Sequence, residues 1–100
     1  ETDDTDGWQL DRITNRLRRH ERCVALTEVQ AALLQCLLDA EGRIVPRQRL
    51  MAALPLARAA HARNVDVYVH RLRKRLLDAG VFELVIEAAR GRGYLLRPPQ

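Results

Sequence analysis

The chain has 100 residues, 47% of them apolar and 30% charged, the size and make-up of one domain with a modest core. No apolar stretch approaches the roughly 20 residues that span a bilayer, and no basic segment leads into an apolar one at the N-terminus, so neither a membrane span nor a signal peptide is expected. Four of the 13 acids (Glu1, Asp3, Asp4, Asp6) fall in the first six residues, leaving 17 basic residues against 9 acids in the remainder, and a basic body behind an acidic start points to an anionic partner.

Residues 1–7, small and acidic and ending in Gly7, read as a linker remnant or frayed terminus. They precede a domain at 8–97 and a short tail at 98–100. The start at Glu rather than Met fits a fragment of a longer protein. Trp8-Gln9-Leu10, Arg16-Leu17-Arg18 and Cys23-Val24-Ala25 alternate in polarity, with breaks near Arg12–Asn15 and His20–Glu21. This pattern predicts a small antiparallel sheet.

The first helix opens at Leu26-Thr27, with the Thr27 hydroxyl as N-cap and Glu28 in the first turn. Val29, Ala32, Leu33, Cys36, Leu37 and Ala40 form its apolar face, and Gly42 stands at the C′ position. Pro46 at the first helical position opens a second helix that runs to about Leu54 and turns Leu50, Ala53 and Leu54 inward, before Pro55 ends it. An alanine-rich loop, 55–62, leads to a third helix from about Asn64 to Ala79, with a core stripe of Val65, Val69, Leu72, Leu76 and Ala79 and a C′ glycine at Gly80. Leu84–Glu87 and Tyr94–Leu96 around Arg90-Gly91-Arg92-Gly93 predict a β-hairpin. There is no internal repeat and no low-complexity tract.

On a helical wheel, Val67, His70, Arg71 and Lys74 project away from the third helix's buried stripe, and residues 63–75 hold five Arg or Lys against one acid, Asp66. That mixture suits a DNA major groove: Arg donates bidentately to guanine, a small apolar side chain such as Val67 meets a thymine methyl, and Arg73 and Lys74 neutralise phosphates. The hairpin adds Arg90, Arg92 and Arg97 with no acid between them, and an arginine at its glycine-rich tip suits a narrow minor groove. The bland alternative is a solvated basic face on each element.

Arg63-Asn64-Val65-Asp66-Val67-Tyr68-Val69-His70-Arg71-Leu72-Arg73-Lys74-Arg75-Leu76, followed by Arg90-Gly91-Arg92-Gly93-Tyr94, resembles the recognition helix and wing of the OmpR/PhoB family of bacterial response-regulator effector domains. The likeness covers about residues 7–97 and implies an α+β winged helix-turn-helix: an N-terminal antiparallel sheet, three helices and a C-terminal β-hairpin wing. It implies base reading by Val67, Tyr68, His70 and Arg71, backbone contacts by Arg63, Asn64, Arg73 and Tyr94, and minor-groove insertion by Arg90 with Arg92 beside it. It further implies a cytoplasmic transcription regulator with a phosphoacceptor receiver domain upstream, and RNA polymerase as an added partner. The isolated domain is expected to be a monomer that pairs on tandem DNA repeats, without membrane contact. The chain departs from the family pattern at Gln30 (usually Glu), Pro46 (Ser), Pro55 (Trp), His70 (Arg in some relatives) and Ala88 (Thr).

Cys23 and Cys36 lie in apolar company and read as buried, reduced thiols of a cytosolic protein. Asp66 and His70, four apart, are an ordinary surface pair, since no nucleophile is spaced to use them. His20 and Cys23 make at most half a metal site, which neither Cys36 nor His61 completes. No catalysis, cofactor or metal is therefore expected. Two further readings remain: a winged helix turned to protein contacts through the basic cluster Arg12, Arg16, Arg18, Arg19 and Arg22, and the DNA-binding module of a membrane-tethered one-component regulator.

Overall fold

A computed structural model describes residues 7–55 and 65–97. Strands β1 (Gln9–Asp11), β2 (Arg16–Arg19) and β3 (Arg22–Ala25) form an antiparallel meander in chain order. Leu17 pairs with Val24 and both are buried beside Trp8, while Arg16, Arg18, Cys23 and Ala25 are exposed. Cys23 is thus exposed rather than buried: with Val24 turned inward, the two-residue period of a strand sends its neighbours outward. Cys36 is half-buried, which pushes its thiol pKa up, and both cysteines are free.

Helix α1 (Glu28–Asp39) begins with a capping box. Thr27 Oγ1 accepts from Gln30 N at 3.1 Å, and Gln30 Oε1 accepts from Thr27 N at 3.0 Å, so Gln30 makes the reciprocal bond without a charge. The buried residues are Ala31, Ala32, Leu33, Leu34 and Leu37, whereas Val29, Cys36 and Ala40 are only half-buried. The expected single stripe is broader and rotated because α1 touches the helices Arg47–Ala53 and Val65–Asp78 and the strand Gly93–Arg97 at once. The left-handed turn assigned to Gly42 also starts earlier, at Glu41 (φ 52°), and continues through Gly42 (φ 86°).

Helix α2 (Arg47–Ala53) starts one residue later than the proline suggested. Pro46 is its N-cap, with extended ψ of 153°, and its carbonyl accepts from Arg49 and Leu50 N. Leu50 and Leu54 are buried, and Ala53 is half-buried. Leu54 leaves the helix with ψ 149°, the extended geometry favoured before Pro55.

Helix α3 (Val65–Asp78) buries Val65, Val69, Leu72 and Leu76. Its end is a Schellman motif: Gly80 N donates to Leu77 O at 3.0 Å, Val81 N donates to Leu76 O at 2.9 Å, and Gly80 takes φ 76°. Leu76 and Val81, both buried, are the apolar pair that accompanies this cap. Strands β4 (Val85–Ala89) and β5 (Gly93–Arg97) pair antiparallel from Val85↔Arg97 to Ala89↔Gly93, leaving Arg90-Gly91-Arg92 as the tip. The loop expected at 55–62 lies, after Pro55, outside the described residues.

The wing is joined to the helices at its base. Val45, in the link between α1 and α2, exchanges two backbone hydrogen bonds with Tyr94: Val45 N to Tyr94 O at 2.7 Å and Tyr94 N to Val45 O at 3.0 Å. Gly93 permits this contact, because a Cβ there would lie 2.0 Å from Val45 O.

Candidate nucleic-acid interface

The outward face of α3 is built by default from its buried one. With Val65, Val69, Leu72 and Leu76 holding the helix to the core, Val67, His70, Arg71, Arg73 and Lys74 are all exposed. Val67 is 42% exposed, a large apolar fraction for a residue one step from a buried stripe. Tyr68 is half-buried against the core, and the Arg71 guanidinium lies 5.8 Å from its ring centre. Tyr68 therefore gives Arg71 a cation–π platform as well as an accessible edge. A cleft of about 220 Å³, lined by Thr27, Val29, Gln30, Tyr68 and Arg71, separates the start of α1 from α3.

The other cations of α3 differ in their freedom. Lys74 Nζ is 3.5 Å from Asp78 Oδ2, an exposed one-turn pair of small energetic weight. Arg75 donates from Nε to Ala25 O at 3.0 Å and straps α3 to the end of β3. Arg63 and Asn64, the first residues of the motif, lie outside the described residues.

At the start of α3, Asp66 meets Arg47 and Tyr94 rather than the His70 expected from spacing. Arg47 Nε donates to Asp66 Oδ1 at 2.9 Å, and the Tyr94 hydroxyl donates to the same oxygen at 2.5 Å. These bonds, Tyr94's foremost, hold the Asp66 carboxyl below its ordinary pKa. Burial, followed by the bond to Asp66, raises that of Tyr94. Tyr94 is only 6% exposed, so its hydroxyl proton is committed within the protein rather than offered at the surface.

Arg90, Gly91 and Arg92 are exposed at the wing tip, and Gly91 (φ 74°) has open space around it. Arg97 pairs across the hairpin with Glu87, so that Arg90 and Arg92 are the wing arginines without an acidic partner among the described residues.

The basic N-terminal cluster also divides. Arg19 and Arg22 reach Glu83 Oε2 at 3.3 and 3.7 Å, and Trp8 Nε1 donates to Glu83 Oε1 at 3.3 Å. Arg22 Nη2 also donates to Gly80 O at 2.8 Å, and its guanidinium stacks 4.8 Å from the Trp8 ring centre. These two arginines tie the sheet to the end of α3. Arg12, Arg16 and Arg18 remain exposed. No local pattern in the sequence marks Arg47 or Glu83, since each finds its partners far away in the chain.

Among the described residues there is no group of three His, Cys, Asp or Glu side chains that could hold a metal ion, and no helix is long and apolar enough to cross a membrane. In comparisons with known proteins, residues 18–96 match the family described as "Transcriptional regulatory protein, C terminal". The phosphate regulon transcriptional regulatory protein PhoB of Rhizobium meliloti is 37% identical over 93 residues, covering 88% of this chain and 39% of that protein. The chain spans 38–40% of the length of the curated relatives it matches. The DNA-binding domain of the response regulator AdeR, solved in complex with an intercistronic region, superposes with a TM-score of 0.72 at 27% identity, covering 93% of this chain and 96% of that one. The Klebsiella pneumoniae RstA DNA-binding domain, in complex with the RstA box, gives a TM-score of 0.69 at 28% identity and covers 92% of each chain. The exposed face of α3, the arginine-tipped wing and the match over residues 18–96 place this chain in the OmpR/PhoB-type family of transcriptional-regulator C-terminal domains, with a winged helix-turn-helix fold.

Proposed function

We propose that this chain binds duplex DNA in a sequence-specific manner, as the output domain of a two-component response regulator. The observation that carries this reading is the joining of two cationic elements, the outward face of α3 and the wing, through the bond from the Tyr94 hydroxyl to Asp66 of α3, with the Val45–Tyr94 backbone bridge holding the wing to the α1–α2 link. In this reading α3 lies in the major groove. Arg71, braced on Tyr68, donates to a guanine; Val67 meets a thymine methyl; His70 reads a neighbouring base edge. Arg73 and Lys74, together with Arg63 and Asn64 by family resemblance, meet phosphates. Arg90 enters the minor groove, with Arg92 on its flank. Tyr94 serves from inside the protein instead of as a free phosphate donor. Support comes from AdeR and RstA, whose domains of this fold were solved on DNA.

The domain acts without catalysis or cofactor, in the cytoplasm, downstream of a receiver domain in the longer protein. It is a monomer by itself and pairs on tandem repeats. The exposed Arg12, Arg16 and Arg18 favour a second reading, in which the outer face of the sheet docks an acidic protein surface such as polymerase or the receiver.

Selection of duplexes from a randomised pool, followed by titration at two salt concentrations, separates the two readings. DNA binding predicts one enriched motif and, for about six neutralised phosphates, a slope of log K against log salt of roughly −5. Arg71→Ala then costs about 1–3 kcal/mol on that motif and relaxes one base position. Absence of enrichment from the full-length protein, with only weak binding abolished by salt, would favour protein docking. Equal losses on selected and random DNA would remove Arg71 from base reading.

A further inference from the structure

Three residues from three elements close on one another at the base of the wing. Asp66 is in the first turn of α3, Arg47 in the first turn of α2, and Tyr94 in β5. Asp66 Oδ1 accepts from both partners, at 2.9 Å from Arg47 Nε and 2.5 Å from the Tyr94 hydroxyl. The Arg47 guanidinium in turn lies 5.4 Å from the Tyr94 ring centre. Each residue therefore touches the other two. The same Tyr94 carries the two backbone hydrogen bonds to Val45, next to a glycine whose missing Cβ allows the approach.

A two-stranded hairpin does not set its own direction, because by itself it is marginally stable in water. The wing's direction is given by what grips its base. From the Ala88–Tyr94 pair to Arg90 and Arg92 each strand runs roughly 7 Å, and to Gly91 at the apex roughly 10 Å, at about 3.3 Å per residue. A rotation of about 10° at the base would move the tip by about 1–2 Å, more than a hydrogen bond tolerates. Asp66 is also the only acid in residues 65–77. Left unpaired, its charge would stand at the front of the reading helix, beside the phosphates.

We infer that Arg47, Asp66 and Tyr94 form a positioning unit that fixes the wing relative to the recognition helix, and so sets which major- and minor-groove contacts the domain makes together. This rests on the reading of α3 and the wing as the two DNA-contacting elements. Tyr94 is then a positioning residue, acting through Arg90 and Arg92, and not a phosphate ligand.

The test is a double-mutant cycle on the whole 100-residue chain with its selected duplex, with urea melts confirming that each variant is folded. Tyr94→Phe keeps the ring and removes the hydroxyl. It is expected to weaken binding about tenfold in the wild-type background, and less than about twofold in an Arg90→Ala/Arg92→Ala background, because the wing contacts it serves are already gone. Hydroxyl-radical footprints of Tyr94→Phe should lose minor-groove protection under the wing while guanine N7 protection under α3 persists. Equal losses in the two backgrounds, as from a direct phosphate contact or a general structural defect, overturn the proposal. So does an unchanged affinity. Failure of the underlying reading shows separately, as wild-type protein without motif preference or an Arg90→Ala/Arg92→Ala variant that binds as well as wild type, and the positioning role falls with it.

Discussion

Replacing Gly93 by alanine introduces one methyl group where β5 passes close to the link between α1 and α2. The added carbon would lie 2.0 Å from Val45 O, 2.8 Å from Val45 C and 2.9 Å from Pro46 Cα. All three neighbours are backbone atoms, so no side chain can swing aside. The φ of 138° is itself unfavourable for an L-residue and costs about 1–3 kcal/mol to hold. Relief of the clash separates β5 from the α1–α2 link and loses the two Val45–Tyr94 hydrogen bonds, about 1 kcal/mol each. Together these give about 3–5 kcal/mol, a large share of the roughly 5–15 kcal/mol that holds a domain folded. Gly91→Ala is the matched control: φ is again positive, at 74°, but nothing lies within 4 Å of the new Cβ, so about 1–2 kcal/mol is expected. Urea denaturation followed by far-UV circular dichroism measures both. If Gly93→Ala costs no more than Gly91→Ala, the close approach of the wing to Val45 is not as described, and the account of how the wing is held fails with it.

Other outcomes follow from the same geometry. Lys74→Ala should weaken selected and random duplexes alike and make the salt slope shallower by about 1, read from titrations at several salt concentrations; a loss confined to the selected motif would mean that Lys74 reads bases. Arg22→Ala removes the bond to Gly80 O, the pair with Glu83 and the Trp8 stack. About 1–2 kcal/mol of stability should go with them after allowance for exposure, whereas Arg18→Ala on the neighbouring strand should stay within about 0.5 kcal/mol. Comparable urea midpoints for the two variants would contradict the structural role given to Arg22. Asp66, with an ordinary pKa of 3.8, is held lower in the folded protein by Tyr94 and Arg47. Its contribution is therefore complete above that ordinary value and is lost as pH falls through the lowered folded one. Stability measured from pH 5 to pH 2 should decline less steeply in Asp66→Asn than in wild type; parallel curves would refute the pairing.

The elements that the sequence by itself determined are those written in short-range chemistry. The stripe Val65, Val69, Leu72 and Leu76 sets both the buried side of α3 and, by exclusion, the exposed set Val67, His70, Arg71 and Lys74. Thr27 caps α1, Gly80 ends α3, and Arg90-Gly91-Arg92-Gly93 turns the hairpin, each through bonds or dihedrals within a few residues. The tertiary structure alone decided what each side chain meets. Asp66 has an imidazole one turn away in sequence, yet pairs with Arg47 and Tyr94, 19 and 28 residues distant. Trp8 bonds Glu83 across 75 residues. α1 is buried around more of its circumference than one stripe, because the neighbours that cover it come from other elements. Periodicity records which face of an element is apolar. It carries no record of which distant element will lie against that face, and that packing is what commits Tyr94 to the interior and to Asp66.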